Sequence, residues 1–225
     1  MLEVVIDTET TGLSVLEGHR IVEIGCIELN NQVPTKKIFH HYINPERTVS
    51  KDAFSLHGYT DEFLLKQKKF SGIADNFLDF INGKKLIIHN ASFDITFLNH
   101  ELKILGKKAI NQKNVIDTLE LARQKFPGSA ASLDALCKRY KIDNSKRQKH
   151  SALMDCKLLI QVYINLIDQK EPKLALDGVE KNKEEIVKNF IDVIKYSKKI
   201  KKPNELELKL HKDFIKTKIK RNFYY

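Results

Sequence analysis

The chain has 225 residues, 42% of them hydrophobic and 30% charged, with nine Gly and five Pro; this suffices for one domain of about 150–200 residues plus a tail, or for two small domains, and excludes a collagen, a repeat array or a long disordered linker. No stretch approaches the roughly 20 uncharged apolar residues that span a bilayer. The N-terminus offers no basic-then-apolar signal, and three widely spaced cysteines (Cys26, Cys137, Cys156) form no CxxC, so neither a disulfide framework nor a zinc knuckle is expected, and the expected location is the reducing cytoplasm with no membrane partner.

The net charge of +10 is uneven: residues 1–168 carry 23 Lys and Arg against 20 Asp and Glu, a net +3, and residues 169–225 carry the other +7. A basic surface can attract a polyanion such as nucleic acid, but a Lys- and Asn-rich composition can equally be a genome-wide bias. Val4-Val5-Ile6, a β-branched run stopped at Thr10-Thr11-Gly12, predicts a strand over 1–10. Strands over 20–30 and 36–44 follow, and the short link between them demands antiparallel pairing. Short apolar strands at 85–89 and 114–116 then alternate with helical periodicity over 70–81, 93–105, 118–126, 132–140 and 151–168. A hairpin meander followed by βα units predicts an α/β fold, a mixed sheet flanked by helices. Pro172 breaks the pattern, and lysine-rich helical stretches over 183–199 and 205–219 follow, the second capped by Asn204 with Glu207 three residues on. The expected division is a domain over 1–168, a linker over 169–182 and a basic helical tail over 183–225.

Asp7 and Glu9 stand two apart on the first strand, so both side chains leave one face of the sheet. An isolated DxE commonly lies at a solvated strand end; on a strand this apolar, a buried acid pair is costly without a cation between its members, and oxygen ligands favour Mg²⁺ or Mn²⁺ over zinc. Asp94 opens a helix directly after the strand 85–89, where it could simply complement the helix dipole. Asp155 falls in the second turn of the helix 151–168, where alone it would read as an exposed acid. His150 precedes it by five residues, roughly 140° around a continuous helix, so the two face one site only if His150 sits on the polar loop before the helix.

These residues lie in DTETTGL (7–13), HNASFD (89–94) and HSALMD (150–155), which resemble the three motifs of the DEDDh 3′-to-5′ exonucleases, the DnaQ-like family on a ribonuclease-H-like fold. EGHRIVEIG (17–25), FSLHG (54–58), DEFLL (61–65) and FPGSAASLDALCKRYKIDNSKR (126–147) extend the resemblance over about 2–168, most strongly toward the proofreading subunits of replicative DNA polymerases. The resemblance implies that Asp7, Glu9 and Asp155 hold one of two divalent ions, that Asp7 bridges to a second supported by Asp94 through water, and that His150 is the general base. It also implies that the backbone at Thr10 and Gly12 approaches the terminal nucleotide of a single-stranded 3′ end of DNA, that Asp52 and His57 meet its sugar or base, and that Leu13 and Phe54 wedge or stack. For His57 a capping or core role before Gly58 is the competing reading. Asp117 reads as a helix N-cap and not as a fifth ligand. His19, His40, His41 and His100 show no ligand spacing.

Ile186, Phe190 and Ile194, then Leu206, Leu210 and Phe214, recur at steps of four, giving apolar stripes that suit a docking helix. In proofreading members such a segment binds the polymerase III catalytic (alpha) subunit, which makes Leu206, Leu210 and Phe214 candidate partner contacts. Leu174 and Leu176 lie in EPKLAL (171–176), which resembles sliding-clamp peptides; a small theta-type subunit is a further expected partner, and the replisome the expected setting. Two alternatives share these features: a stand-alone DEDDh nuclease trimming RNA or oligonucleotides, and a non-catalytic subunit bridging polymerase to clamp.

Overall fold

The structure is a computed structural model and describes residues 1–145, 147, 149–167 and 203–218. The expected helix over 183–199 and the clamp-like peptide with Leu174 and Leu176 lie outside the described residues. The chain divides into two compact units, Met1–Ala175 and Leu176–Tyr225. No helix among the described residues is long and apolar enough to cross a membrane.

The first unit is built on a five-stranded sheet in the order β3-β2-β1-β4-β5. Its strands are β1 (Leu2–Thr10), β2 (Ile21–Asn30), β3 (Val33–Tyr42), β4 (Lys85–Ile88) and β5 (Val115–Asp117). β1 pairs antiparallel with β2 and parallel with β4, β2 pairs antiparallel with β3, and β4 parallel with β5. The mixed sheet is therefore the expected one. β3 starts three residues earlier than expected because Asn31 and Gln32, both at positive φ (49° and 67°), close a two-residue turn whose twist suits a hairpin. Pro34 is tolerated inside it because β3 is an edge strand, where a missing N–H leaves no neighbour unpaired.

The helices are α1 (Lys51–His57), α2 (Asp61–Leu65), α3 (Ala74–Ile81), α4 (Ala91–Ile104), α5 (Thr118–Lys125), α6 (Leu133–Tyr140) and α7 (Ala152–Leu166). α1 and α2 were not foreseen. The helix expected over 70–81 is split into a 3₁₀ turn, Phe70–Gly72, and α3, because Ile73 adopts φ −124°. Period-2 alternation along β1 sends Val4 and Ile6 into a core with Phe77, Leu98 and Leu102, and Val5 into a second core with Leu136, Cys156 and Leu159 on the other face. α3 and α4 thus cover one face, and α6 and α7 the other. In the second unit the described helix is α8 (Glu205–Lys218). It is capped as expected: Asn204 N–H donates to Glu207 Oε2 and Glu207 N–H to Asn204 Oδ1, 2.9 and 2.8 Å.

Candidate active site

Asp7 and Glu9 stand at the C-terminal end of β1, opposite Gly25 and Glu23 of β2. β1 also fixes Asp94: the Thr8 N–H and Oγ1–H both donate to Asp94 Oδ1, at 2.9 and 2.7 Å. α4 begins right after β4, through Asn90 in the left-handed region (φ 63°). Asp117 holds that turn, accepting from the Asn90 and Ala91 N–H groups, and also caps α5 by accepting from Leu119 N–H. It is thus the N-cap that was expected, and its second task is to fix the turn that presents Asp94.

α7 is seated by Glu23, whose fully buried carboxylate accepts from the Ser151 hydroxyl (3.0 Å), from the Ala152 N–H (2.9 Å) and from the Tyr59 hydroxyl (2.7 Å), and pairs with His40 Nε2 (2.7 Å). Burial alone would raise its pKa, but the bonds from His40, Tyr59 and Ala152 outweigh it and hold Glu23 below the ordinary value. An external carboxylate thus does for this helix what Ser151 does not, meeting a free N–H at the positive end of the dipole. Gly25 lets the helix approach: a Cβ there would lie 2.6 Å from Ala152 C and Leu153 N. Asp155 then sits in the first turns of α7, buried. His150 lies outside the helix, its N–H donating to Leu56 O of α1 (3.1 Å), as the five-residue spacing required.

Asp7, Glu9, Asp94, His150 and Asp155 all line one cavity of about 600 Å³. One ligand atom from each of Glu9, His150 and Asp155 falls within 4.8 Å of the others. Burial, then repulsion from Asp155, Glu23 and Asp94, lifts Glu9 to about 8. Asp94 is lifted to about 7 chiefly by burial, against the pull of the Thr8 hydrogen bonds. Asp7 is raised well above its ordinary value by burial and by Asp94 and Asp155. A crowd of oxygen donors whose charged forms burial and one another disfavour, in reach of solvent, fits divalent cations.

A second cavity of about 530 Å³ shares Thr8, Glu9 and Phe93 with the first and is also lined by Thr10, Gly12, Leu13, Asp52 and His57. Gly12 has no room for a side chain, since a Cβ would meet the His19 ring at 2.3–2.5 Å. His57 is buried at the C-terminus of α1, accepting from Tyr59 N–H at Nδ1. Phe54, expected beside these residues, is exposed and does not line the cavity; Leu56, two residues on, does. The α1 face turned toward the cavity carries Asp52, Ala53, Leu56 and His57, and Phe54 falls off it. Sequence reasoning missed Arg147, Glu23, Thr8 and Phe93. Arg147 closes the resemblance segment 126–147 and stands in the polar loop before α7, with no role read for it; its guanidinium grips Asp155, with Nε and Nη2 each 2.6 Å from a carboxylate oxygen.

A mixed sheet with acids at the end of its central strand, two more carried by flanking helices and a histidine ahead of the last defines a nuclease of the DEDDh type. The exonuclease family RNase_T matches residues 4–163, and the chain belongs to that family. It is 48% identical over 224 residues, 97% of each chain, to the DNA polymerase III subunit epsilon of Rickettsia felis. Among solved structures it is similar to an exonuclease X in complex with 5′ overhanging duplex DNA (26% identity, 74% of this chain and 92% of that one, TM-score 0.57). The fold is also that of the nuclease domain of 3′hExo, a DEDDh family member bound to rAMP (20% identity, 75% and 92% covered, TM-score 0.65).

Proposed function

We propose that this chain is the proofreading 3′-to-5′ exonuclease of a bacterial replicative polymerase, hydrolysing the terminal phosphodiester of a mismatched 3′ end at the cavity formed by Asp7, Glu9, Asp94, His150 and Asp155. The observation that carries the reading is the convergence of four carboxylates and one histidine on that cavity, beside a second one sized for a nucleotide. Asp7, Glu9 and Asp155 would hold one divalent ion and Asp7, with Asp94, a second, Mg²⁺ or Mn²⁺. Bound there, such ions supply Lewis-acid assistance to the attacking water and to the departing 3′ oxygen.

The chain's own groups do the rest. Burial and the neighbouring Arg147 hold His150 below its ordinary pKa, partly offset by Asp155 and Asp134, so at neutral pH the ring is uncharged, the form in which it takes the proton of the attacking water once substrate is bound. The terminal nucleotide lies in the second cavity, with its sugar or base toward Asp52 and His57, the Thr10–Gly12 backbone beneath it and the exposed Leu13 at its edge. A frayed mismatch unstacks more cheaply than a paired end, so selection needs no reading of sequence. α8 is the proposed contact with the polymerase catalytic (alpha) subunit, through Leu206, Leu210 and Phe214; the peptide with Leu174 and Leu176 is proposed for the sliding clamp. A theta-type subunit is a further proposed partner, with the cytoplasmic replisome as the setting.

The test is release of mononucleotides from a 3′-mismatched primer–template with Mg²⁺ or with EDTA, for the wild-type chain and His150→Ala. Metal-dependent digestion from the 3′ end, lowered about 10²–10⁴-fold in the variant, is the expected result. Digestion that survives His150→Ala, or that prefers matched RNA over DNA, would overturn the reading, the second in favour of a trimming nuclease.

A further inference from the structure

Among the described residues, Arg147 is the most heavily engaged cation beside the proposed site. Its side chain is almost wholly buried, 8% exposed. Nε and Nη2 fork onto the two oxygens of Asp155, Oδ1 and Oδ2, at 2.6 Å each. Nη1 donates to Asp134 Oδ2 of α6 at 2.8 Å, and Nη2 also donates to His150 Nδ1 at 2.9 Å. Two consequences follow from donor and acceptor chemistry alone. Guanidinium has no lone pair and cannot give up its proton, so the ring nitrogen facing it must be the acceptor; in neutral His150 the hydrogen is then on Nε2, and the one lone pair able to take a proton is already engaged. A bidentate fork also occupies both carboxylate oxygens of Asp155, which a metal ion would need to share.

We infer that Arg147 is a latch on the active site: in the protein without substrate, its guanidinium takes the place of a cation at Asp155 and engages the lone pair of His150, so that metal and DNA must displace it before hydrolysis. This rests on the proposed role of Asp155 as a metal ligand and goes beyond it. A single side chain joins Asp134 of α6 to the two groups that the proposed chemistry uses, Asp155 on α7 and His150 just before it. Once displaced from Asp155, the guanidinium remains tethered by Asp134 at the wall of the cavity, where a phosphate oxygen of the incoming strand is a matching fork partner.

The experiment measures Mn²⁺ binding to the full chain without DNA, by electron paramagnetic resonance and calorimetry, for wild type, Arg147→Gln, Arg147→Lys and Asp155→Asn. With the latch, Arg147→Gln binds Mn²⁺ about tenfold or more tightly than wild type, Arg147→Lys, which cannot fork, lies between, and Asp155→Asn binds more weakly. Imidazole ¹⁵N shifts should place the hydrogen of wild-type His150 on Nε2 and show loss of the Nδ1 hydrogen bond in Arg147→Gln. Unchanged or weaker Mn²⁺ binding in Arg147→Gln, with Asp155→Asn weakened, overturns the latch and leaves the metal site standing. Unchanged binding in Asp155→Asn overturns both. If Arg147→Gln does not fold, Arg147→Lys decides: tighter binding than wild type supports the latch, and equal or weaker binding overturns it.

Discussion

Glu9 at about 8 and Asp94 at about 7 sit far above the ordinary carboxylate range near 4, so the folded protein without cations holds protons that the unfolded chain has already lost. For a carboxylate raised on folding, the stabilising contribution is complete below the unfolded pKa and is lost as pH climbs through the folded one. With EDTA present, the melting temperature should therefore fall as pH rises from about 6 to 8.5. Saturating Mg²⁺ should flatten that fall, because a bound cation favours the charged form of both groups against the burial that raises them. Asp7→Asn, which replaces a carboxyl whose ionisation burial, Asp94 and Asp155 oppose, should make that metal-free fall shallower while abolishing hydrolysis. Scanning fluorimetry across pH checks all three, and a flat profile in EDTA would refute the electrostatic account. The five residues proposed for the active site were legible in the sequence because they fall in the three motifs that carry the family resemblance, each in a compatible local setting: a strand end, a first helical turn, a loop before a helix. Arg147 was not, since an arginine in the polar run 144–149 reveals its partner only when α6 and α7 bring Asp134 and Asp155 together.

α7 depends on β2 as much as on its own sequence. Glu23 meets the Ser151 hydroxyl and the Ala152 N–H, and Gly25 leaves the space into which the first turn fits. Glu23→Gln should cost about 1–3 kcal/mol, because the amide offers two hydrogens where the pocket supplies donors. Gly25→Ala places a methyl group 2.6 Å from the Ala152 backbone and should cost about 1–3 kcal/mol by overpacking, with kcat falling as Asp155 moves away from Asp7. Gly72→Ala is the control, since its added Cβ meets only Lys68 Cβ at 3.9 Å. Chemical denaturation with parallel assays checks the pair, and equal losses for Gly25→Ala and Gly72→Ala would refute the seating of α7. β1 to β3 and the longer helices were legible because their apolar patterns are long enough to count, and β4 and β5 because each is a short apolar run between helical stretches. α1 and α2, at seven and five residues, carry too few turns for a period; only their caps, Ser50 and Thr60, mark where they begin.

Among the described residues, the groups proposed for catalysis and their supports lie in the first unit, and the second contributes a helix with an exposed apolar stripe. On α8, Leu206, Leu210 and Phe214 recur every four residues and are 67, 62 and 56% exposed, one apolar face along about two turns of helix. Three large apolar side chains left in water each forgo roughly 1.5–3 kcal/mol of burial, a cost that a docked partner removes. The triple change Leu206→Ser, Leu210→Ser, Phe214→Ser keeps the Asn204–Glu207 cap and should leave hydrolysis of a free oligonucleotide within about twofold of wild type. Capture of the purified polymerase catalytic subunit should weaken by at least about 10²-fold, the equivalent of some 2.7 kcal/mol. Surface plasmon resonance beside the nuclease assay separates the outcomes. Unchanged capture would move the polymerase contact off α8, whereas a matching loss of hydrolysis would mean that the stripe serves the nuclease unit itself.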